Sequence, residues 1–196
     1  MNSADRLPLR ERRRTQTRDH LLTTASHLIS RKGFSATSIQ DIADAAGTSR
    51  ATLYSHFGSK DGILAELIRS MWGDGDEMYR RFGELGDWSR SSIRGWVVYV
   101  VTVWNQDAER NRLIAEVAGR DLLDDSRKYH RLYTDRLLTN SELWHARFSV
   151  HEAERRAAVL VVLLESYLQR QQSDGQSLDD TVVDTLTDVW MDVLHA

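Results

Sequence analysis

Residues 37–60 read TSIQDIADAAGTSRATLYSHFGSK, and this stretch decides the fold of the amino-terminal third of the chain. Thr37 and Gln40 stand at the spacing of a capping box, which predicts the start of a short helix, and Gly47 predicts its end. Ser49 is a favourable N-cap for a second short helix directly after the turn. Two short helices joined by a glycine turn form a helix-turn-helix motif, whose second helix enters the major groove of DNA.

Apolar residues at helical spacing flank this motif on both sides, so we expect a compact bundle of helices around it. The flanking apolar positions are Leu21, Leu22, Ala25, Leu28 and Ile29 before the motif, and Ile63, Leu64, Leu67, Ile68 and Met71 after it. We predict a flexible basic arm over residues 1–14, a helix-turn-helix domain over residues 15–62 and a second helical domain over residues 63–196.

The sequence of the rest of the chain also predicts helices. The predicted fold class is therefore all-α with about nine helices. Pro8 is the only proline, so nothing interrupts the backbone hydrogen bonds of long helices after it. We expect these helices near residues 92–106, 109–119, 122–147, 152–171 and 178–194. The β-branched stretch 96–101 resembles a buried strand, but the sequence offers it no partner strand, so we predict a helix.

The net charge of −3 hides two regions of opposite sign. Residues 1–62 hold ten Arg or Lys and six Asp or Glu, whereas the remaining residues hold sixteen and twenty-three. A basic amino-terminal region suits phosphate binding, with the acidic region held away from the duplex. The four arginines at positions 10, 12, 13 and 14 either follow a phosphate backbone, enter a minor groove or form a solvated arm, and the sequence leaves these alternatives open.

Residues 20–68 resemble the DNA-binding domain of the TetR (tetracycline-repressor-like) family. The residues that carry the resemblance are Ala25, Gly33, Thr37, Ile42, Ala43, Ala46, Gly47, Ser49, Leu53, Tyr54, His56, Phe57, Ser59, Lys60 and Leu64. The resemblance implies base contacts by Arg50, Ala51 and Thr52. It implies phosphate contacts by Thr37, Ser49, Tyr54, His56 and Lys60. Thr48 departs from the family pattern, which usually has valine there. Because the Ala51 side chain is small, we expect Arg50 and Thr52 to make most of the base contacts.

For the carboxy-terminal region the resemblance implies a helical domain that dimerises through its last two long helices and binds a small molecule. The sequence of these helices is apolar on two sides, which suggests an interface between two copies, although a deeply buried hairpin in a monomer has the same pattern. We expect the interface residues to be Leu160, Leu164, Tyr167, Val182, Leu186, Val189, Trp190 and Val193.

Aromatic and methionine side chains at helical spacing suggest a pocket for a flat or hydrophobic effector. Its expected lining is Met71, Trp96, Val100, Val103, Trp104, Tyr133, Leu137, Trp144 and Phe148. The competing interpretation, in which each of these residues belongs to the core, stays open. The chain has no cysteine and its histidines are scattered, so we expect no metal and no cofactor.

No nucleophile motif, phosphate loop or paired carboxylates point to an enzyme, and no apolar stretch approaches the roughly 20 residues that span a membrane. We expect a cytoplasmic, homodimeric transcriptional regulator, a repressor in preference to an activator, that binds an inverted-repeat DNA operator. A small hydrophobic or aromatic effector is expected to release it. The alternatives are a helical small-molecule-binding protein whose DNA binding is not controlled by the effector, and a constitutive DNA-architectural dimer.

Overall fold

The structure is a computed structural model and describes residues 8–106, 108, 110–111 and 120–195. These residues form nine α-helices and no strand, as the sequence predicts. The helices are α1 (Leu9–Lys32), α2 (Ile39–Ala45), α3 (Arg50–Phe57), α4 (Lys60–Gly83), α5 (Arg90–Gln106), α6 (Arg120–Leu137), α7 (Ser141–His145), α8 (Val150–Ser173) and α9 (Asp180–His195). The helix predicted near residues 109–119 lies largely outside the described residues. None of the described helices has the length and apolarity needed to cross a membrane.

The chain divides into two compact units, one that ends at Ser70 and one that begins at Met71. The boundary lies within α4, later than the boundary after residue 62 that the sequence suggested. The physical reason is that the first turns of α4 belong to the core of the first unit, where Ile63 and Leu67 are buried. Leu21, Ala25, Ile29, Ile42, Ala43 and Leu53 complete this core.

Helix α1 begins much earlier than the sequence analysis allowed. The flexible arm predicted over residues 1–14 disagrees with the structure from Leu9 onward, because residues 9–14 form the first turns of α1. Pro8 stands at the N-cap, and its carbonyl oxygen accepts hydrogen bonds from the backbone N–H groups of Glu11 (2.8 Å) and Arg12 (3.1 Å). Proline suits a helix start, and the following arginines favour helix, so the helix extends.

The second unit is built around an aromatic core. Trp96 contacts Phe82 and Trp190 with ring centroids 5.1 and 4.5 Å apart, and Trp88 and Trp144 extend the cluster. The stretch 96–101 is helical, as predicted, and lies within α5. The single helix predicted over residues 122–147 is instead two, because Asn140 caps a new helix start at Ser141.

Candidate nucleic-acid interface

The cap of α2 lies one residue later than the sequence predicted. Ser38, not Thr37, is the N-cap: its hydroxyl accepts from the backbone N–H of Asp41 (3.1 Å), and the Asp41 carboxylate accepts from the backbone N–H of Ser38 (2.8 Å). Gln40 instead donates to Asp44 (2.7 Å). The hydrogen bonds from Ser38 lower the pKa of Asp41, so the carboxylate of this capping box is ionised at neutral pH.

The turn between α2 and α3 requires glycine. Gly47 has φ of 62°, a left-handed conformation that side chains rarely adopt, and the next residue, Thr48, donates its backbone N–H to the carbonyl of Ala43 (2.9 Å). This geometry ends α2 and turns the chain directly into the N-cap of α3. The two short helices are therefore joined as a helix-turn-helix.

Helix α3 presents its first turn to solvent. The Ser49 hydroxyl accepts from the backbone N–H of Thr52 (3.1 Å) and lies 2.9 Å from its hydroxyl, which fixes the start of the helix. Arg50 and Ala51 are exposed and Thr52 is half-buried, so the three expected base-reading residues share this accessible turn. Leu53 points into the core of the first unit.

Tyr54 and His56 lie further along α3 and differ in exposure. Tyr54 is 52% exposed, which is high for a large aromatic side chain. Its hydroxyl is therefore accessible for the expected contact with a phosphate. His56 is half-buried. Burial, with the nearby charges of Arg14 and Arg18, lowers the pKa of His56, so its imidazole is neutral at pH 7.

Arg18 of α1 holds the carboxy-terminal end of α3, a role the sequence analysis missed. Its guanidinium donates to the carbonyl of His56 (2.7 Å), lies 4.7 Å from the ring centroid of Phe57 and pairs with Glu66 of α4 (2.7 Å). A cation on the last carbonyls of a helix is stabilising. The sequence could have indicated this role, because Arg18 precedes the core residue Leu21 by three positions and therefore lies on the core face of α1.

Two of the residues expected at phosphates belong to the framework of the first unit. The Lys60 ammonium donates to the carbonyls of Phe34 (2.8 Å) and Thr37 (2.9 Å) and lies over the Phe34 ring. Thr37 is only 1% exposed, and its hydroxyl donates to the carbonyl of Gly33 (2.9 Å). The expectation that Thr37 contacts a phosphate is therefore wrong for this structure, since its side chain is buried. Lys60 still has one ammonium N–H that is not used by its bonds to the Phe34 and Thr37 carbonyls.

Most residues expected to line an effector pocket lie in the packed core of the second unit. The buried ones are Trp96, Val100, Tyr133, Leu137, Trp144 and Phe148, while Met71, Val103 and Trp104 are half-buried. The indole N–H groups of Trp96 and Trp144 donate to the carbonyls of Met78 and Leu137, each at 2.8 Å. Trp96 and Trp144 thus have their polar atoms satisfied, as is typical of aromatic residues in a core.

The second unit contains paired and buried polar groups that the sequence did not predict. His130 of α6 and Glu165 of α8 lie 2.7 Å apart, and the hydrogen bond that the imidazole donates to the Glu165 carboxylate raises the pKa of His130. The indole nitrogen of Trp72 and the carbonyl oxygen of the Gln172 side chain are buried and have no hydrogen-bond partner among the described residues. Within the same ranges no group of three or more His, Asp or Glu side chains is placed to hold a metal ion.

The expected interface residues of α8 and α9 also separate by burial. Leu160, Leu164, Val182, Leu186 and Trp190 are buried within the chain itself, so the expectation that they contact a partner is wrong. Tyr167, Val189 and Val193 are half-buried. The exposed apolar residues near the middle of α8 are instead Val159 (56% exposed) and Val162 (47% exposed). Both helices are apolar on more than one side, and most of the predicted interface residues lie on the side that faces inward.

Comparison with known proteins shows what the first unit is similar to. Residues 21–67 match the family model described as bacterial regulatory proteins, tetR family. The HTH-type transcriptional repressor KstR2 of Rhodococcus jostii (strain RHA1) is 38% identical over 80 residues, which are 41% of this chain and 39% of KstR2. Residues 21–67 are therefore a TetR-type DNA-binding segment. The HTH-type transcriptional regulator EthR of Mycolicibacterium smegmatis extends the similarity, at 26% identity over 190 residues covering 89% of this chain and 84% of EthR.

A solved TetR-family structure has the same fold. The transcriptional regulator PfmR from Thermus thermophilus superposes with a TM-score of 0.65 over 91% of this chain and 96% of PfmR, at 20% identity. The match to KstR2 spans less than half the length of that relative. The TetR family model begins at Leu21 and ends at Leu67, which are both core residues of the first unit, so the first turns of α1 lie outside it.

Proposed function

We propose that this protein is a ligand-responsive transcriptional repressor of the TetR family that binds an inverted-repeat operator as a homodimer. The observation that carries the proposal is the exposed first turn of α3, with Arg50 and Ala51 next to the Ser49 cap. Small side chains let a helix approach base edges closely, and one long cation then reaches them in the major groove.

Within this turn the three residues have separate roles. Arg50 reads a base edge, and the bidentate contact of an arginine with guanine O6 and N7 is the commonest specific contact in protein–DNA complexes. Ala51 keeps the helix close to the groove floor and contacts apolar groups such as a thymine methyl. Thr52 offers a hydroxyl that donates or accepts.

The surrounding polar residues bind phosphates and set the position of α3. Ser49 and Tyr54 supply exposed hydroxyls, and His56 supplies a neutral imidazole at the other end of the helix. Lys60 uses its remaining N–H while its other two hold the turn. Such contacts fix the register of a protein on DNA and carry no sequence information.

Homodimerisation uses the outward face of α8. Val159 and Val162 are exposed and three residues apart, so they form one apolar patch on the helix surface. A twofold pair of chains presents two α3 helices to half-sites one DNA turn, roughly 34 Å, apart. A single α3 reads too few base pairs to find one operator among competing sites.

A small hydrophobic or aromatic effector binds inside the second unit and releases the DNA. The aromatic composition of that unit supports this class of ligand. The indole nitrogen of Trp72 and the side-chain carbonyl oxygen of Gln172, which have no partner within the part of the chain that the structure describes, supply anchors for it. Met71, Val103 and Trp104, which retain exposed surface, meet the effector first. A thousandfold release requires the effector to prefer the released conformation by about 4 kcal/mol.

The test is selection of binding duplexes from a random library by the full-length protein. We expect an inverted repeat with half-site centres about 10 base pairs apart. Aromatic compounds that raise the melting temperature of the protein should then weaken its binding to that duplex. Stabilisation by a compound without loss of DNA affinity supports the alternative, a small-molecule-binding protein with uncontrolled DNA binding. Selection without any sequence preference contradicts the proposal.

A further inference from the structure

The first three turns of α1 project beyond the core of the first unit. Helix α1 starts at Leu9, but its first buried residue is Leu21. No apolar burial therefore accounts for residues 9–20. Instead this segment carries exposed arginines, among them Arg10, Arg13 and Arg14.

The basic segment continues from the end of the predicted recognition helix. Arg10, Arg14 and Arg18 are spaced four residues apart, so they lie along one face of α1. Arg18 is fixed at the carboxy-terminal end of α3 through the His56 carbonyl and the Phe57 ring. Arg14 is close enough to His56 for its charge to disfavour the protonated imidazole. The arginine face therefore begins beside a proposed phosphate-binding residue and leads away from it.

Because this segment is helical, it can contact DNA in fewer ways than an extended arm can. An α-helix with its side chains is about 10–12 Å wide, whereas the minor groove is about 6 Å wide. A segment that stays helical cannot enter that groove as an extended arm does. At 1.5 Å per residue, the eight residues from Arg18 to Arg10 span about 12 Å, the length of roughly three or four phosphates along one strand.

We propose that Arg10, Arg13 and Arg14 form a second DNA-binding element that holds backbone phosphates outside the base pairs read by α3. This inference rests on the proposed function, because it assumes that α3 docks on DNA. The element adds affinity and lengthens the bound site without adding sequence preference, since phosphates are the same at every base pair.

The experiment compares three full-length variants on a duplex taken from the gene's own upstream region and narrowed by footprinting. Arg10→Ala/Arg13→Ala/Arg14→Ala removes the charges and keeps a good helix former, and the corresponding triple Lys variant retains the charges. Arg131→Ala removes an exposed arginine of the second unit and serves as the matched control. Circular dichroism checks that all variants keep their helix content.

The expected result is a shallower dependence of affinity on salt for the triple Ala variant. Each lost phosphate contact lowers the slope of log K against log salt by about 0.9, which corresponds to about fivefold weaker binding near 0.15 M salt. The triple Lys and Arg131→Ala variants should keep the slope of the unmodified protein. Trimming the duplex to the ends of the inverted repeat should weaken the unmodified protein and leave the triple Ala variant unchanged.

An unchanged salt slope in the triple Ala variant, or a triple Lys variant as weak as it, overturns the inference. An altered half-site preference in the triple Ala variant overturns it as well, since that would mean base contacts. Failure of the proposed function looks different: the unmodified protein would then bind its upstream duplex no better than a shuffled one.

Discussion

Replacing Gly75 with alanine tests how closely α4 and α6 approach in the second unit. A Cβ atom added to Gly75 would lie 2.3 Å from the hydroxyl oxygen of Tyr133 and 2.5 Å from its Cζ. Tyr133 has little room to move, because it is buried, its hydroxyl donates to the Trp72 carbonyl (2.7 Å) and its ring lies 4.8 Å from that of Tyr79. The substitution must therefore displace a packed aromatic ring.

Gly73 supplies the matched control two residues away in the same helix. A Cβ atom added there meets nothing within 4 Å, and the residue is exposed. Both glycine-to-alanine changes gain about 1 kcal/mol of helix propensity, so this gain cancels when the two variants are compared. The remaining difference is the cost of overpacking at Gly75, about 1–3 kcal/mol, which is about 3 °C or more in melting temperature.

Thermal unfolding, monitored by tryptophan fluorescence, measures this difference in the second unit. All six tryptophans lie after Met71, so the signal reports the second unit alone. Gly73→Ala should melt above the unmodified protein, and Gly75→Ala should melt at least about 3 °C below Gly73→Ala. Equal melting temperatures for the two variants would refute the close packing of α4 on Tyr133.

Three further outcomes are expected. Tyr54→Ala should weaken binding to every DNA sequence by a similar factor, measured by fluorescence anisotropy, and a change confined to one sequence would contradict a phosphate contact. Val162→Glu should shift the protein to monomer in analytical ultracentrifugation, while Val98→Glu, at a comparably exposed valine of α5, should not; a dimeric Val162→Glu protein would contradict the α8 interface. The Glu165 hydrogen bond raises the pKa of His130 above 6.5 in the folded state, so protonated His130 stabilises the fold below that pH and the contribution is lost as the pH rises through the raised pKa. His130→Gln should therefore destabilise the protein more near pH 6 than near pH 9 in urea unfolding, and a deficit that grows with pH would contradict this pairing.

The helix-turn-helix was predictable because its signals are local. Ser49 caps α3, and Gly47 takes a left-handed conformation; each depends on a few neighbouring residues. The one-residue error at α2 arose because Thr37 and Ser38 are equally suitable caps in sequence. The structure uses Ser38 because Asp41 completes the reciprocal bonds, while Thr37 is buried against Gly33.

The second unit was less predictable because its sites depend on which side of each helix faces inward. In α8, Leu160 and Val159 are neighbours in sequence and comparable in hydrophobicity, yet one is buried and the other exposed. Only the packing of neighbouring helices decides between them. Trp96 and Trp144 fit a pocket or a core equally well as residue types, and their hydrogen bonds to carbonyls place them in the core.

The extension of α1 shows the same limit at a helix end. The arginines after Pro8 favour helix but bury no apolar face, so periodicity gave no sign of where the helix begins. Arg18 is informative only once α3 is in place, since its partners are the His56 carbonyl and the Phe57 ring.

The central claim is that α3 reads DNA through Arg50, and sequence preference is its most direct measure. Binding of the unmodified protein and of Arg50→Ala should be compared on the selected duplex and on duplexes with single base-pair changes. We predict that Arg50→Ala loses discrimination at one base pair of each half-site by about 1–3 kcal/mol and keeps its preference elsewhere. An unchanged preference at every position would contradict the claim.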